Sequence, residues 1–396
     1  MVYFDTIGEK ALAAQREAGF AKTEIINDAL LEIAHILRSS KEELARVSAG
    51  DIERESRTNR IGQSAEIVAF DDRLTEELAV MCERLTGLPT PVGTTAGAFT
   101  RPDGLRVEKL RVPVGVVGFM YENDCSAPIR AAAACIKTGN AVILRGSKES
   151  VKTGFYVADI MRTAIKRSGL EPDLIQFIDD TDPTLAMDMM RAERYIGLII
   201  PFGSSSLVKA VRKNSSVPVL NTAVCGCMYV DSAADTISAA AIAAQSVDAG
   251  VRTCFVHRDA GESFIRRVGE KMKLRSTEVR GCGITEHILG KVRPANSTDY
   301  SGRTGDDCFA VMVVEDLAEA MENIRKYDFD GPLCVMTDSL FAADAFRSRT
   351  GSNAVYINRP ASMTAGAIGT GTDIGFAAQT GPIGLEELTR IKYVIS

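Results

Sequence analysis

Apolar residues recur at intervals of three and four through roughly the first 90 residues, as in EIINDALLEIAHILRSSKEELARV, with charges on the opposite face; that period predicts helices. The stretch LTGLPTPVGTTAGAFTRPDG, dense in Gly, Pro and Thr, ends the helices and leads into a strand pair. From Leu105 the pattern alternates and then becomes a continuous apolar run, LRVEKLRVPVGVVGFMYE, as expected of an amphipathic ribbon feeding a strand buried on both faces. AAAACIKTGNAVILRGSKES reads as helix, Gly-Asn turn, buried strand Ala141 to Leu144 and polar glycine loop, and VKTGFYVADIMRTAIKRSG as the next helix. Strand and helix go on alternating through LIQFIDD, TLAMDMMRAER, YIGLIIP and a helix beginning near Ser204. A second unit of the same kind follows, with strands near CFVHR, CFAVMVVE, PLCVMTD and NAVYIN and helices such as ADTISAAAIAAQ and DLAEAMENIRKY. The alternation predicts an α/β class with two parallel sheets.

Composition narrows the function. At 396 residues, 45% of them hydrophobic, the chain has enough apolar surface for large cores. A formal net charge of -6 gives no basic excess for nucleic acid or an anionic membrane. No run reaches the ~18 apolar residues of a membrane span, and the first residues lack the pattern of a secretion signal, so a cytoplasmic protein acting on a small molecule is expected. Nine cysteines, scattered singly apart from Cys225 and Cys227, fit reduced thiols. With only three histidines, His35, His257 and His287, no metal site is expected.

Two glycine loops follow predicted strands. Arg145, Gly146, Ser147, Lys148 and Glu149 place amides and two cations at a sheet's carboxyl edge, where α/β proteins bind ligands. Pro201, Phe202, Gly203, Ser204 and Ser205 open a helix whose N-terminal amides favour an anion. Each is equally readable as an ordinary strand-to-helix turn that needs Gly and Ser for its geometry and capping. There is no G-x-G-x-x-G, which disfavours a conventional Rossmann site.

In order along the chain, RVPVGVVGFMYEN, AAAACIKTGNAVILRGSKES, YIGLIIPFGSSSL, VPVLNTAVCGCMYVD, NAVYINRPAS and GPIGLEELTRIKYVI resemble γ-glutamyl phosphate reductase, a branch of the aldehyde dehydrogenase superfamily. The resemblance implies a cofactor-binding domain over residues 1–240, with a ribbon segment at 101–114, a catalytic domain over 241–372, and a C-terminal oligomerisation segment over 373–396. It implies a homodimer or homotetramer assembled through that ribbon. It also implies NADPH-dependent reduction of an acyl phosphate to a semialdehyde in proline biosynthesis, by way of a cysteine thioester. The loop 145–149 would then hold the adenosine ribose, with Lys148 beside Arg145 suited to the 2′-phosphate of NADP.

The same resemblance exposes a gap. Within AAQSVDAGVRTCFVH, Ala243 to His257, counting back from CFVH puts Asp248 at the family's nucleophile, and anchoring on AGVR puts Val247 there. Neither is a thiol. The polar N-A-K-x-Q-R-P run of the reductases is replaced by AAAIAAQ, the arginine of I-P-R-G-G by Phe202, and the oxyanion asparagine of A-R-P-N by Ser126, next to Cys125 in the run Asn123 to Ser126. Ser126 can donate one hydrogen bond. Cys125, and less so Cys225 or Cys227, are candidates for a relocated thiol, Cys254 reads as a buried strand residue, and Asp248 suits a general base in chemistry without a covalent intermediate. Three outcomes follow from these residues: an acyl phosphate reductase, a repurposed enzyme working without a thioester, or a catalytically silent homologue that binds nucleotide or a partner.

Overall fold

The computed structural model describes residues 2–58, 69–122, 124–222, 225–305, 307–362, 373–378 and 381–396. Asn123 and, in the expected catalytic and C-terminal segments, residues 363–372 and 379–380 lie outside them. The chain divides into two compact units: unit 1, Met1–Thr222 with Gly369–Phe376 and Ile383–Ser396, and unit 2, Ala223–Ile368 with Ala377–Pro382.

Unit 1 opens with the expected helices, α1 (Val2–Ala18), α2 (Thr23–Ser39), α3 (Lys41–Thr58) and α4 (Asp72–Thr86). The three-and-four spacing in α2 buries Ala29, Leu30, Ile33, Ala34, Ile36 and Leu37, and α4 answers with Leu78, Ala79, Cys82 and Leu85. Each Leu or Ile so buried stabilises by about 1.5–3 kcal/mol. Asp71 starts α4 by accepting from the Leu74 N–H at 2.7 Å. A four-stranded parallel sheet follows, β3 (Val116–Tyr121), β4 (Ala141–Arg145), β5 (Ile175–Phe177) and β6 (Leu198–Phe202), in the order β5-β4-β3-β6. All six residues of β3 are buried, which is why its sequence is apolar without alternation. The helices α5 (Ala127–Lys137), α6 (Val151–Arg167), α7 (Pro183–Met190) and α8 (Ser205–Asn214) alternate with these strands. Lys137, at the end of α5, is only 2% exposed and donates to Asn27 Oδ1 at 2.9 Å and to the Thr86 carbonyl at 3.2 Å, tying α5 to α2 and to the end of α4. Burial holds its ammonium below the ordinary lysine pKa.

The ribbon is a separate antiparallel sheet of β1 (Thr95–Thr100), β2 (Arg106–Pro113) and β16 (Thr389–Ile395), with β2 in the middle. Phe99, Ile391, Tyr393 and Ile395 are exposed on it, and Lys109 lies 5.7 Å over the Tyr393 ring.

Unit 2 carries a seven-stranded parallel sheet in the order β10-β9-β11-β8-β7-β12-β13. Its elements are β7 (Gly226–Val230), α9 (Thr236–Ser246), β8 (Val251–His257), α10 (Arg258–Leu274), β9 (Glu278–Gly281), α11 (Gly283–Leu289), β10 (Arg293–Pro294), α12 (Ser297–Tyr300), β11 (Cys308–Val314), α13 (Leu317–Tyr327), β12 (Leu333–Met336), α14 (Leu340–Arg349) and β13 (Val355–Ile357). The sequence pattern shows four of those strands. It misses β7, where Gly and Cys break up a short apolar run, β9, whose EVRG is largely polar and only partly buried, and β10, which has two residues. Met228, Val256, Phe264, Phe309 and Val311 lie in one of its core clusters. A further pair, β14 (Asp373–Ala378) and β15 (Gly381–Gly384), forms its own two-stranded sheet.

Candidate functional site

Three strands of unit 1 end side by side. Met120 pairs with Arg145 and Tyr121 with Phe202, so Glu122, the loop from Arg145 to Glu149 and the loop from Phe202 to Ser204 share the carboxyl edge of one parallel sheet. The Arg145 guanidinium is half-buried, donates to the Asp182 carbonyl at 3.2 Å, and keeps its buried Nε without a partner. Burial lowers its pKa, with Asp180 and Asp182 acting the other way. Lys148 is exposed, 3.7 Å from Glu149 Oε1, and Ser147 and Ser150 bond through their hydroxyls at 3.2 Å. The loop runs directly over Tyr121, since a Cβ on Gly146 would sit 2.8 Å from the ring's Cζ. On the other side Pro201 is buried, its carbonyl accepting from Thr222, and the Phe202 ring stacks on Phe119.

The chain's own carboxylates each engage one backbone amide at the two helix starts of this edge. Glu122 Oε2 accepts from the Ser204 N–H at 2.6 Å and its Oε1 from the Ser204 hydroxyl at 3.2 Å, which fixes the residue that caps α8 through its bond with the Leu207 N–H at 3.3 Å. Gly203, at φ 153°, makes room for that contact: a Cβ there would lie 2.5 Å from Glu122 Oε2. At α6, Ser150 makes no capping bond through its side chain. Asp51, fully buried on α3, supplies the cap instead, accepting from the Thr153 N–H at 2.9 Å and hydroxyl at 2.8 Å. The cationic side chains at this edge that can attract an anion are those of Arg145 and Lys148.

Cys125 and Ser126 stand between β3 and α5. The Cys125 thiol is fully buried, 3.8 Å from the Ser150 carbonyl, and burial pushes its pKa up to about 12. The Ser126 hydroxyl donates to Asp124 Oδ1 at 2.5 Å, and Arg130 binds the other oxygen of Asp124 at 2.8 Å. As placed, Ser126 is engaged with a carboxylate, and Cys125 lacks the ionised form a nucleophile needs.

The aspartate of the nucleophile frame belongs to unit 2, in the turn between α9 and β8. Its side chain is 72% exposed and bound to Arg275 at 2.5 Å, whereas Val247 is buried in the core. Cys227 and Cys254 are buried within β7 and β8, and burial drives both thiols well above the ordinary range. Cys225 and Cys282 are partly exposed. They occupy opposite edges of the sheet: Cys225 precedes β7, where the Gly226 N–H bonds the Gly250 carbonyl at 2.8 Å, and Cys282 follows β9. Burial alone would raise the Cys282 pKa, but the N–H groups of Val313, Thr285 and Ile284 and the Thr285 hydroxyl outweigh it and hold the thiol below its ordinary value. The sequence pattern does not single out Cys282, because its helix-start position appears only once α11 is known.

These parts define a class. The chain belongs to the aldehyde dehydrogenase family, matching it over residues 3–279. Within that family its relatives are γ-glutamyl phosphate reductases: it is 34% identical to the enzyme of Caldanaerobacter subterraneus, over 98% of this chain and 96% of that protein. To the enzyme of Clostridium acetobutylicum it is 33% identical, over 99% of this chain and 97% of that protein. The crystal structure of the γ-glutamyl phosphate reductase of Thermotoga maritima superposes with a TM-score of 0.86 at 30% identity, covering 99% of this chain and 97% of that one. An engineered glycolyl-CoA reductase with bound NADP+, at 13% identity and a TM-score of 0.71, shares the fold. Membership implies a nicotinamide cofactor, and the carboxyl edge of unit 1 fits one. Arg145 and Lys148 supply the positive charge, the buried Arg145 Nε awaits an acceptor, and the glycine of the loop lets the backbone pass close over Tyr121.

Proposed function

We propose that the protein is an NADPH-dependent reductase of the γ-glutamyl phosphate reductase type, converting an acyl phosphate to a semialdehyde with release of phosphate. The observation that carries this reading is the match of more than 30% identity, over nearly the whole of both chains, to curated γ-glutamyl phosphate reductases. When bound, the cofactor supplies the hydride. Arg145 and Lys148 would hold its 2′-phosphate, and the 202–204 loop, fixed by Glu122, would border its phosphates. The Asp124, Ser126 and Arg130 cluster would stand beside the reacting carbonyl, where Ser126 turns to support an oxyanion only by leaving Asp124. The exposed ribbon residues Phe99, Ile391, Tyr393 and Ile395 would pair subunits into a homodimer or homotetramer, which light scattering at micromolar concentration tests.

A second reading rests on the ion pair of Asp248 with Arg275. A carboxylate there forms no thioester, so the fold would serve chemistry without that intermediate, or nucleotide binding alone. The deciding assay is phosphate-dependent reduction of NADP by glutamate 5-semialdehyde. Turnover by the unmutated protein supports the first reading. Its absence, with NADPH binding retained in calorimetry, supports the second.

A further inference from the structure

The loop expected to meet the nucleotide is fastened from behind by a helix far away in sequence. Asp51 and Arg54 lie one turn apart on α3. Asp51 is fully buried and caps α6 through Thr153. A buried carboxylate is costly without a cation, and Arg54 provides one, its Nη2 lying 2.9 Å from Asp51 Oδ1. The same nitrogen donates to the Glu149 carbonyl at 3.0 Å. Two points of the backbone, Glu149 and Thr153, are therefore held by one acid-base pair on α3. On the other side, Arg145 is held by the Asp182 carbonyl. Lys148 stands between these anchors with its side chain 77% exposed, so the root of the cation is fixed while its tip reaches into solvent.

Resting on the cofactor reading above, we infer that Arg54 is a positioning residue for cofactor choice: by clamping Glu149 it sets where Lys148 meets the 2′-phosphate that distinguishes NADPH from NADH. A brace serving only the stability of unit 1 would change the binding of both nucleotides alike, because they differ in that phosphate alone. Positioning of Lys148 changes NADPH binding selectively. Arg54 is 38% exposed, so its replacement leaves the apolar core intact.

The test is calorimetry of NADPH and NADH on the unmutated protein, Arg54→Ala and Arg54→Lys, with hydrogen exchange of the amides from 147 to 153 in the absence of nucleotide. We expect Arg54→Ala to weaken NADPH about fivefold to tenfold and NADH less than twofold, as for loss of one hydrogen bond. Arg54→Lys, which keeps the charge on a shorter side chain, should fall between, and amides 149 to 153 should exchange faster in Arg54→Ala. Equal weakening of both nucleotides, or an unchanged preference for NADPH in Arg54→Ala, overturns the inference alone. No preference for NADPH in the unmutated protein overturns the cofactor assignment and this inference together.

Discussion

The carboxyl edge of the sheet in unit 1 and the turn from residue 247 to 250 in unit 2 are the two places where the sequence promises chemistry, and they are built differently. At the first, the polar groups described around Asp51, Glu122, Thr153 and Ser204 are bonded to partners brought from other elements. At the second, the turn between α9 and β8 carries a buried valine and an aspartate in a solvent-exposed ion pair. The fold holds α9 and β8 in place through apolar packing that does not depend on what residue 248 is.

Thiol reactivity should show the largest contrast. With its pKa raised from 9.0 to about 12, Cys125 should hold about a thousandfold less thiolate than an ordinary thiol at pH 8 and alkylate far more slowly, its rate still climbing as pH approaches 12. Cys282, with its pKa lowered, should react first and keep reacting at lower pH. Peptide mass spectrometry after timed iodoacetamide treatment measures both, and early labelling of Cys125 would show that its loop is open in solution. Next in size, Asp51→Ala should destabilise by about 3 kcal/mol, since it strands Arg54 and the start of α6, and the urea midpoint reads this. Lys148→Glu should weaken NADPH by about 1.5–3 kcal/mol and NADH far less. Gly203→Ala should cost about 1–3 kcal/mol through backbone strain and crowding of Glu122. The smallest effect belongs to Asp248→Asn, which removes one exposed ion pair worth at most about 1 kcal/mol. A loss of several kcal/mol there would mean that the turn in unit 2 is as interlocked as the edge in unit 1.

Much of this was legible in the sequence, for physical reasons. The three-and-four spacing of α2 and α4 and the unbroken apolar run of β3 each follow from which faces are buried, so helices and parallel sheet emerge from periodicity; β2 alternates in sequence, but only its Val107 is buried. The motifs around Gly146 and Gly203 locate the loops because loops at strand ends need glycine. What the pattern could not reveal was pairing across long separations. Nothing in the run around Asp51 announces that it will cap a helix 102 residues later, and nothing in MYEN says that Glu122 will occupy the start of α8. Those bonds decide what the loops can still offer a ligand, and they exist only in three dimensions.

Lys137 gives the helical layer of unit 1 a built-in clock. Its amine is sealed beneath α2 and α4, with Asn27 and the Thr86 carbonyl as partners. An amine reagent can reach it only when those helices part, so its labelling rate, set against that of exposed lysines, reports how often this layer opens in the native protein and how that frequency changes when nucleotide binds.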